Sequence, residues 1–313
     1  MQKTILITGA DGLVGQAIRS IASDYNMKFI FVTRNEYDLT NQSEVNIMFD
    51  VHKPDYVIHT AARVGGIGLN LSEPAQQYYN NIIMNTLLVD GAYRAGVQKF
   101  IGFSSVCAFP GDAELLTEDI LQDGKPFPAH KSYAYAKRMM QVQIEAYRSQ
   151  YSIKNYCSLL PVNIFGEYDN YDLNKGHVVP SLIHKCFIAK KNNKPLEIWG
   201  TGIAKREFIY SKDLAKICLN LLNHTKDFPE LIITSSEIEF SIKEIVERVT
   251  HACDYTDKII WLEDKPNGQL RRPSKSLYFS EFFPDFKFTD IDLAIESSVN
   301  WFISNYPNVR GIK

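Results

Sequence analysis

TILITGADGLVGQAIRSIA, residues 4–22, opens with a short run of apolar and β-branched residues, breaks on glycine, and resumes with apolar residues at helical spacing. The reading is strand, tight turn, helix. Gly9, Gly12 and Gly15 occupy the junction as G-x-x-G-x-x-G. Three glycines there have separate jobs: a tight turn, close approach of backbone to a pyrophosphate, and close packing of helix on strand. The positive N-terminus of the helix, at Leu13 and Val14, then faces the phosphates. A glycine triplet alone also punctuates turns for packing reasons. The strand before it and the helix after it make dinucleotide binding the stronger reading.

The same alternation runs on. KFIFVT (28–33), DYVIHTAA (55–62), KFIGFSS (99–105) and NYCSLLPV (155–162) read as strands, with helices near 43–52, within 75–95 and within 132–150. Strands that are apolar throughout and alternate with helices indicate an α/β fold: a Rossmann-type, doubly wound parallel sheet covered on both faces. Past residue 165 the rhythm loosens. Asp, Asn and Tyr crowd 167–174, helices are expected at 178–191, 211–223, 240–252 and 290–304, and LEIW (196–199) reads as a short strand. FIY (208–210) and LIITS (231–235) have the composition to return to the parallel sheet. The expected organisation is a dinucleotide-binding domain over 1–165, with 207–235 returning to it, and a smaller α/β substrate lobe from 166–206 and 236–313.

At 313 residues, 45% hydrophobic and 22% charged, the chain can bury a sizeable core, and neither disorder nor a small stapled scaffold fits. A net charge of −2 supplies no field for nucleic acid or an anionic membrane, so any anion must be held locally. The five cysteines (107, 157, 186, 218 and 253) are scattered with no C-x-x-C spacing, which gives no ground to expect a disulfide frame or a metal site. With no leader-like opening and no apolar run approaching a membrane span, a soluble cytoplasmic protein is expected.

The end of the second strand selects between dinucleotides. An NAD site normally ends that strand with Asp or Glu for the ribose hydroxyls, whereas FIFVTRN carries Arg34, whose guanidinium can hold a 2′-phosphate. NADP(H) is the expected cofactor, although Asp11 in the glycine turn opposes any phosphate placed close to it.

Tyr133 and Lys137 form Y-x-x-x-K in SYAYAKR, where residues four apart share a helix face. A phenol titrates near ~10 and is a poor acid or base at neutral pH; a close ammonium is expected to lower that value. Ser105, past the fourth strand, supplies a hydroxyl. Cys107, two residues on, is expected to point the same way by the period-two geometry of a strand end. A cysteine in such a place is, without context, a small buried hydrophobe, the reading that suits Cys157, Cys186 and Cys218 in their apolar runs. His59, between a strand and the cofactor loop, reads as structural.

HTAARVGGIGLN (59–70), SSVCAFP (104–110), SYAYAKR (132–138), LPVNIFGEYDNYD (160–172), GHVVPSLIHK (176–185) and WGTGIAKREFIYSKDLA (199–215) together resemble the extended short-chain dehydrogenase/reductases. The resemblance is to the branch that epimerises and reduces GDP-4-keto-6-deoxy-mannose to GDP-L-fucose, and it spans nearly the whole chain. It implies an NADPH-dependent enzyme with a GDP-sugar substrate, with Ala61, Ala62, Tyr133, Lys137 and His177 beside the cofactor. It also implies Cys107 and His177 as the acid/base pair that exchanges protons at carbons 3 and 5. The chemistry is coherent on its own terms: a ketone at carbon 4 acidifies both neighbouring C–H bonds, and inversion needs one group to remove a proton while another supplies one from the opposite face. Thiol and imidazole both titrate near enough to neutrality. Ser105 and Tyr133 are implied to hydrogen-bond the carbonyl oxygen, where charge develops.

By the same resemblance Asn163 contacts the sugar, Arg206 the pyrophosphate, and Lys185 stands where some relatives carry arginine. Arg271, with Arg272, follows the turn PNG (266–268) and is placed to close over the nucleotide. Trp199 either flanks the guanine or packs the lobe, and packing is preferred. Plainer readings are a turn or capping residue for His177 and surface charges for the arginines. A homodimer through the helices within 78–96 and around Tyr133 is implied, although burial inside one subunit gives the same apolar pattern. Rival functions are reduction of a related GDP-4-keto sugar, deoxy or heptose, with little or no epimerisation, and a 4-epimerase that keeps NAD bound. Val106, Cys107 and Ala108 lack the acidic pair of the dehydratases, and a non-catalytic NADP sensor has no need of Tyr133 and Lys137.

Overall fold

The computed structural model describes residues 2–265 and 269–312. The first half alternates as β1 (Thr4–Thr8), α1 (Leu13–Ile21), β2 (Lys28–Val32), α2 (Gln42–His52), β3 (Tyr56–His59), a short α3 (Ile67–Ser72), α4 (Pro74–Arg94), β4 (Lys99–Phe103), α5 (Lys131–Tyr151) and β5 (Tyr156–Pro161). The second half runs β6 (Asn163–Phe165), α6 (Val178–Lys191), β7 (Leu196–Trp199), β8 (Lys205–Tyr210), α7 (Ser211–Asn223) and β9 (Leu231–Thr234). It closes with β10 (Glu239–Ser241), α8 (Ile242–Ala252), β11 (Ile259–Leu262), α9 (Phe279–Phe282) and α10 (Ile291–Asn305).

Six strands form one parallel sheet in the order β2-β1-β3-β4-β5-β9. The winding reverses between β1 and β3, which opens a crevice at their carboxyl ends, the ligand position of doubly wound sheets. The side-chain alternation of β1 explains the layering. Ile5 and Ile7 pack with Ile18 of α1 and Leu214 of α7 on one face, whereas Leu6 joins Val45, Phe49, Leu88 and Met140 from α2, α4 and α5 on the other. All are buried, and truncating one such Leu or Ile to Ala costs about 2–5 kcal/mol.

A second core lies among α6, α8 and α10, with Leu182, Ile183, Ile245, Val249, Ile295 and Phe302. The pair β7–β11 is parallel. β9 joins the main sheet, but FIY (208–210) does not: β8 lies between antiparallel β10 and parallel β6 in a separate three-stranded sheet. The reason is non-local. The chain leaves β5, turns at Val162 and offers β6 as a new parallel partner outside the main sheet, and an apolar triplet carries no record of which edge it will meet. Among the described residues no helix is long and apolar enough to cross a membrane.

Candidate active site

β1 delivers the chain into the glycine turn at the crevice. Gly9 has φ +69, and a Cβ there would lie 2.6 Å from the Ala61 amide nitrogen; a Cβ on Gly15 would lie 2.5 Å from the Gly9 carbonyl oxygen. Only glycine fits either place. Gly12 is the N-cap of α1 and provides no side-chain cap, so no side chain competes for the first-turn amides at Leu13 and Val14. Ala61 and Ala62 follow β3 against this turn, and Thr60 Oγ1 donates to the Thr8 carbonyl at 2.7 Å. Arg34 is exposed just past β2. Because Thr8 pairs with Val32, it sits at the same end of the sheet as the glycines. A bare-backbone cradle, an uncapped helix N-terminus and a cation beyond the second strand fit a phosphorylated dinucleotide.

α5 presents Tyr133 and Lys137 one turn apart, both buried. Lys137 Nζ donates to the Phe103 carbonyl at 2.8 Å and lies 5.9 Å from the Tyr133 ring centroid. Burial lowers the Lys137 pKa to about 8. Burial pushes Tyr133 well above the usual phenol value, the neighbouring Cys107 adds to this, and a hydrogen bond with the Ser105 hydroxyl opposes it. The expectation that the ammonium would lower Tyr133 is therefore reversed, because desolvation of the phenolate dominates. Tyr133 holds its proton at neutral pH and is suited to act as an acid.

β4 stops at Phe103, so strand periodicity does not align Ser105 with Cys107. Val106–Ala108 form a 3₁₀ turn with Ser105 as N-cap, and Ser105 Oγ accepts the Cys107 N–H at 3.3 Å. Burial raises the Cys107 thiol, while the Ser105 hydroxyl, Arg272 and Arg206 pull it down. Arg272 Nη2 donates to the carbonyls of Val106 at 3.4 Å and Pro110 at 3.2 Å, and Nη1 to Gln269 Oε1 at 3.0 Å. Its Nε is buried without a partner among the described residues. Burial, then repulsion from Arg272, lowers the pKa of Arg206. Two guanidiniums near one thiol concentrate positive charge suited to an anionic group.

The segment that delivers Arg272 is anchored by Glu207, a buried carboxylate that accepts the Ser274 N–H at 2.7 Å, the Ser274 hydroxyl, and the Ser235 hydroxyl at 2.7 Å. Asn163 Nδ2 donates to the Glu207 carbonyl at 2.7 Å. His177 is exposed at the N-cap of α6 but makes no capping bond with its side chain. The residues before it meet the VGGI segment: the Gly66 N–H donates to the Lys175 carbonyl at 3.0 Å, and a Cβ on Gly66 would lie 3.2 Å from the Gly176 oxygen. At its other end the same segment reaches α5, with Asn70 Nδ2 3.4 Å from His130 Nδ1.

A family model described as "NAD dependent epimerase/dehydratase family" matches residues 5–233. Over 99% of its length the chain is 37% identical to the GDP-L-fucose synthase of Dictyostelium discoideum, covering 98% of it. It is 36% identical to that of Sinorhizobium fredii, over 97% of this chain and 96% of the relative. The chain belongs to the GDP-L-fucose synthase branch of the NAD dependent epimerase/dehydratase family. A crystal structure of a GDP-L-fucose synthetase from Naegleria fowleri bound to NADP superposes with a TM-score of 0.92 at 31% identity, over 98% of this chain and 95% of that one.

Against the pattern expected for this branch, two substrate-side assignments change. Arg271 is exposed and turned onto Glu239, with Nε 2.9 and 2.8 Å from its two oxygens; Arg272 takes the inward position. The preceding turn 266–268 lies outside the described residues. Trp199 is 60% exposed rather than packed in the lobe, and Lys185 Nζ lies 5.4 Å from its ring centroid. Burial lowers the Lys185 pKa. His59 is structural: Nδ1 lies 2.8 Å from Thr8 Oγ1 and Nε2 3.1 Å from Asn85 Oδ1, and burial lowers its pKa to about 3. Sequence reasoning passed over Glu207 and His130. Glu207 had a signal, since an acid inside KREFIY is out of place on a buried strand unless its carboxylate is bonded; His130 in a Pro-rich approach to α5 had none.

Proposed function

We propose that this chain is an NADPH-dependent epimerase-reductase that converts GDP-4-keto-6-deoxy-mannose to GDP-L-fucose. The observation that carries the reading is the setting of Cys107, which feels the hydroxyls of Ser105 and Tyr133 and two guanidiniums, Arg206 and Arg272, whose charge suits an anion. A simple ketone reductase needs only the hydroxyls. A thiol beside them adds acid/base capacity, and the guanidiniums suit the diphosphate of a nucleotide sugar. The relatives named GDP-L-fucose synthase support the GDP-sugar, and the neighbour solved with NADP supports the cofactor.

Gly9, Gly12 and Gly15 with the amides at Leu13 and Val14 hold the pyrophosphate of the cofactor, Arg34 its 2′-phosphate, and Ala61 and Ala62 wall the site. When bound, the cofactor supplies a hydride to carbon 4. Before that, Cys107 and His177 act on carbons 3 and 5: one takes the proton, the other returns one to the opposite face, and each centre inverts with no net change in protons. Ser105 and Tyr133 donate hydrogen bonds to the carbonyl oxygen and hold the enolate charge. Tyr133 finally gives its proton to the carbon-4 oxygen, and the nearby Lys137 ammonium stabilises the phenolate left behind. Asn163, Lys185, Trp199, Arg206 and Arg272 hold the sugar and nucleotide between the main sheet and the lobe of 166–206 and 236–312. Two copies pair through Tyr78 and Tyr79 of α4 and Val142 and Tyr151 of α5, all exposed in the single chain; light scattering checks this as a mass twice that of the chain.

The deciding experiment supplies GDP-4-keto-6-deoxy-mannose and NADPH in heavy water and locates deuterium in the product by NMR. Label at carbons 3 and 5 with oxidation of NADPH is expected. Turnover without label removes the Cys107 and His177 roles and leaves a reductase of a GDP-4-keto sugar. No NADPH oxidation overturns the reading.

A further inference from the structure

Two cysteines outside the site meet each other. Cys186 lies within α6, and Cys253 is the C-cap of α8. Both belong to the lobe's core, Cys186 fully buried and Cys253 3% exposed. α6 packs against α8 here, and the two thiols interact: Cys253 pushes the pKa of Cys186 up, whereas Cys186 and then the Lys190 ammonium pull Cys253 down against its burial. Lys190 Nζ also donates to the Cys253 carbonyl at 2.7 Å, which fixes the cation at this turn. A cavity of about 280 Å³ is lined by Phe187, Lys190, Lys191, Cys253 and Ile303. That volume admits a molecule the size of hydrogen peroxide many times over, since a water occupies about 30 Å³. A buried core cysteine ordinarily has neither a sulfur partner nor an approach.

We infer that Cys186 and Cys253 are a disulfide-forming pair, with Cys253 the sulfur that reacts first with hydrogen peroxide arriving through the cavity. The Cys253 thiolate attacks one peroxide oxygen, the O–O bond breaks, and a sulfenic acid forms as hydroxide leaves and takes up the released proton as water. The Cys186 sulfur then attacks Cys253 sulfur. The S–S bond forms, the S–O bond breaks, and the hydroxyl departs with the Cys186 proton as a second water. Two thiols lose two electrons and the peroxide is reduced to two waters; a dithiol reverses the link. The cross-link ties α8 to the helix that starts just after His177 and carries Lys185 next to Cys186. The pair itself does not depend on the reaction proposed above.

The full chain is treated with hydrogen peroxide, alkylated, digested without reduction and mapped by mass spectrometry. A linked peptide pair joining Cys186 and Cys253 is expected to grow with peroxide and vanish with dithiothreitol, while Cys157 and Cys218 stay reduced. In Cys186→Ser, the Cys253 sulfenic acid is expected to persist and be trapped by dimedone. Oxidation confined to Cys107 in the wild-type map overturns the inference, as does alkylation of Cys253 in the native chain no faster than that of Cys218. The wild-type map decides even if Cys186→Ser does not fold.

Discussion

Ser105 Oγ accepts the amide N–H of Cys107 at 3.3 Å, so one hydroxyl both caps the turn that presents the thiol and stands beside the Tyr133 phenol. Cys107→Ser leaves that cap in place. It is expected to slow solvent deuterium exchange about 10²–10⁴-fold while NADPH affinity, read by fluorescence titration, is unchanged. Ser105→Ala removes the cap, costs about 1 kcal/mol of stability, and is expected to slow exchange and reduction together. Exchange at the wild-type rate in Cys107→Ser would end the sulfur's role.

Tyr133→Phe is expected to reduce hydride transfer about 10²–10⁴-fold. Lys137, with a pKa lowered to about 8, is an ammonium below that pH. The rate of reduction should therefore fall as pH rises through about 8, and Lys137→Met should flatten that limb. Stability runs the other way. The folded pKa lies below the ordinary lysine value of 10.5, so between about 8 and 10.5 the unfolded chain binds the extra proton and stability gains with rising pH. Thermal melts of wild type and Lys137→Met across that range test the sign.

The neighbours Arg271 and Arg272 separate cleanly by mutation. Arg272→Ala removes a half-buried guanidinium beside Cys107 and is expected to raise KM for the GDP-sugar about 10- to 100-fold, the range for a charge-assisted hydrogen bond. Arg271→Ala breaks an exposed ion pair and should leave KM within about twofold. The reverse order in initial-rate kinetics would contradict the inward placement of Arg272.

Glu207→Ala leaves the Ser274 amide and two serine hydroxyls without their acceptor. A loss of about 1–3 kcal/mol in urea unfolding is expected, with a higher sugar KM because the segment holding Arg272 loosens. An unchanged KM in a destabilised variant would confine Glu207 to stability.

Gly15→Ala places a methyl 2.5 Å from the Gly9 carbonyl oxygen. NADPH binding is expected to fall at least about tenfold, the effect of misplacing one or two phosphate hydrogen bonds, and fluorescence titration at a temperature where the variant is folded measures it.

The sheet, its covering helices and the glycine turn were legible in the amino-acid order because each rests on local rules: alternation along β1, the 3.6-residue period of α1 and α5, and glycine where no Cβ fits. Tyr133 and Lys137 shared a face for the same reason. Other features depended on segments far apart in the chain. Whether Lys205–Tyr210 joined the main sheet was decided by the edge that β6 offers, and the outward turn of Arg271 by the Glu239 carboxylate on β10. The direction of the Tyr133 shift depended on how much water the folded chain removes, and the approach to Cys253 on a cavity that α8 and α10 help to close. Periodicity and steric fit act between near neighbours and can be read along a string; desolvation, long-range pairing and access exist only once the chain has closed on itself.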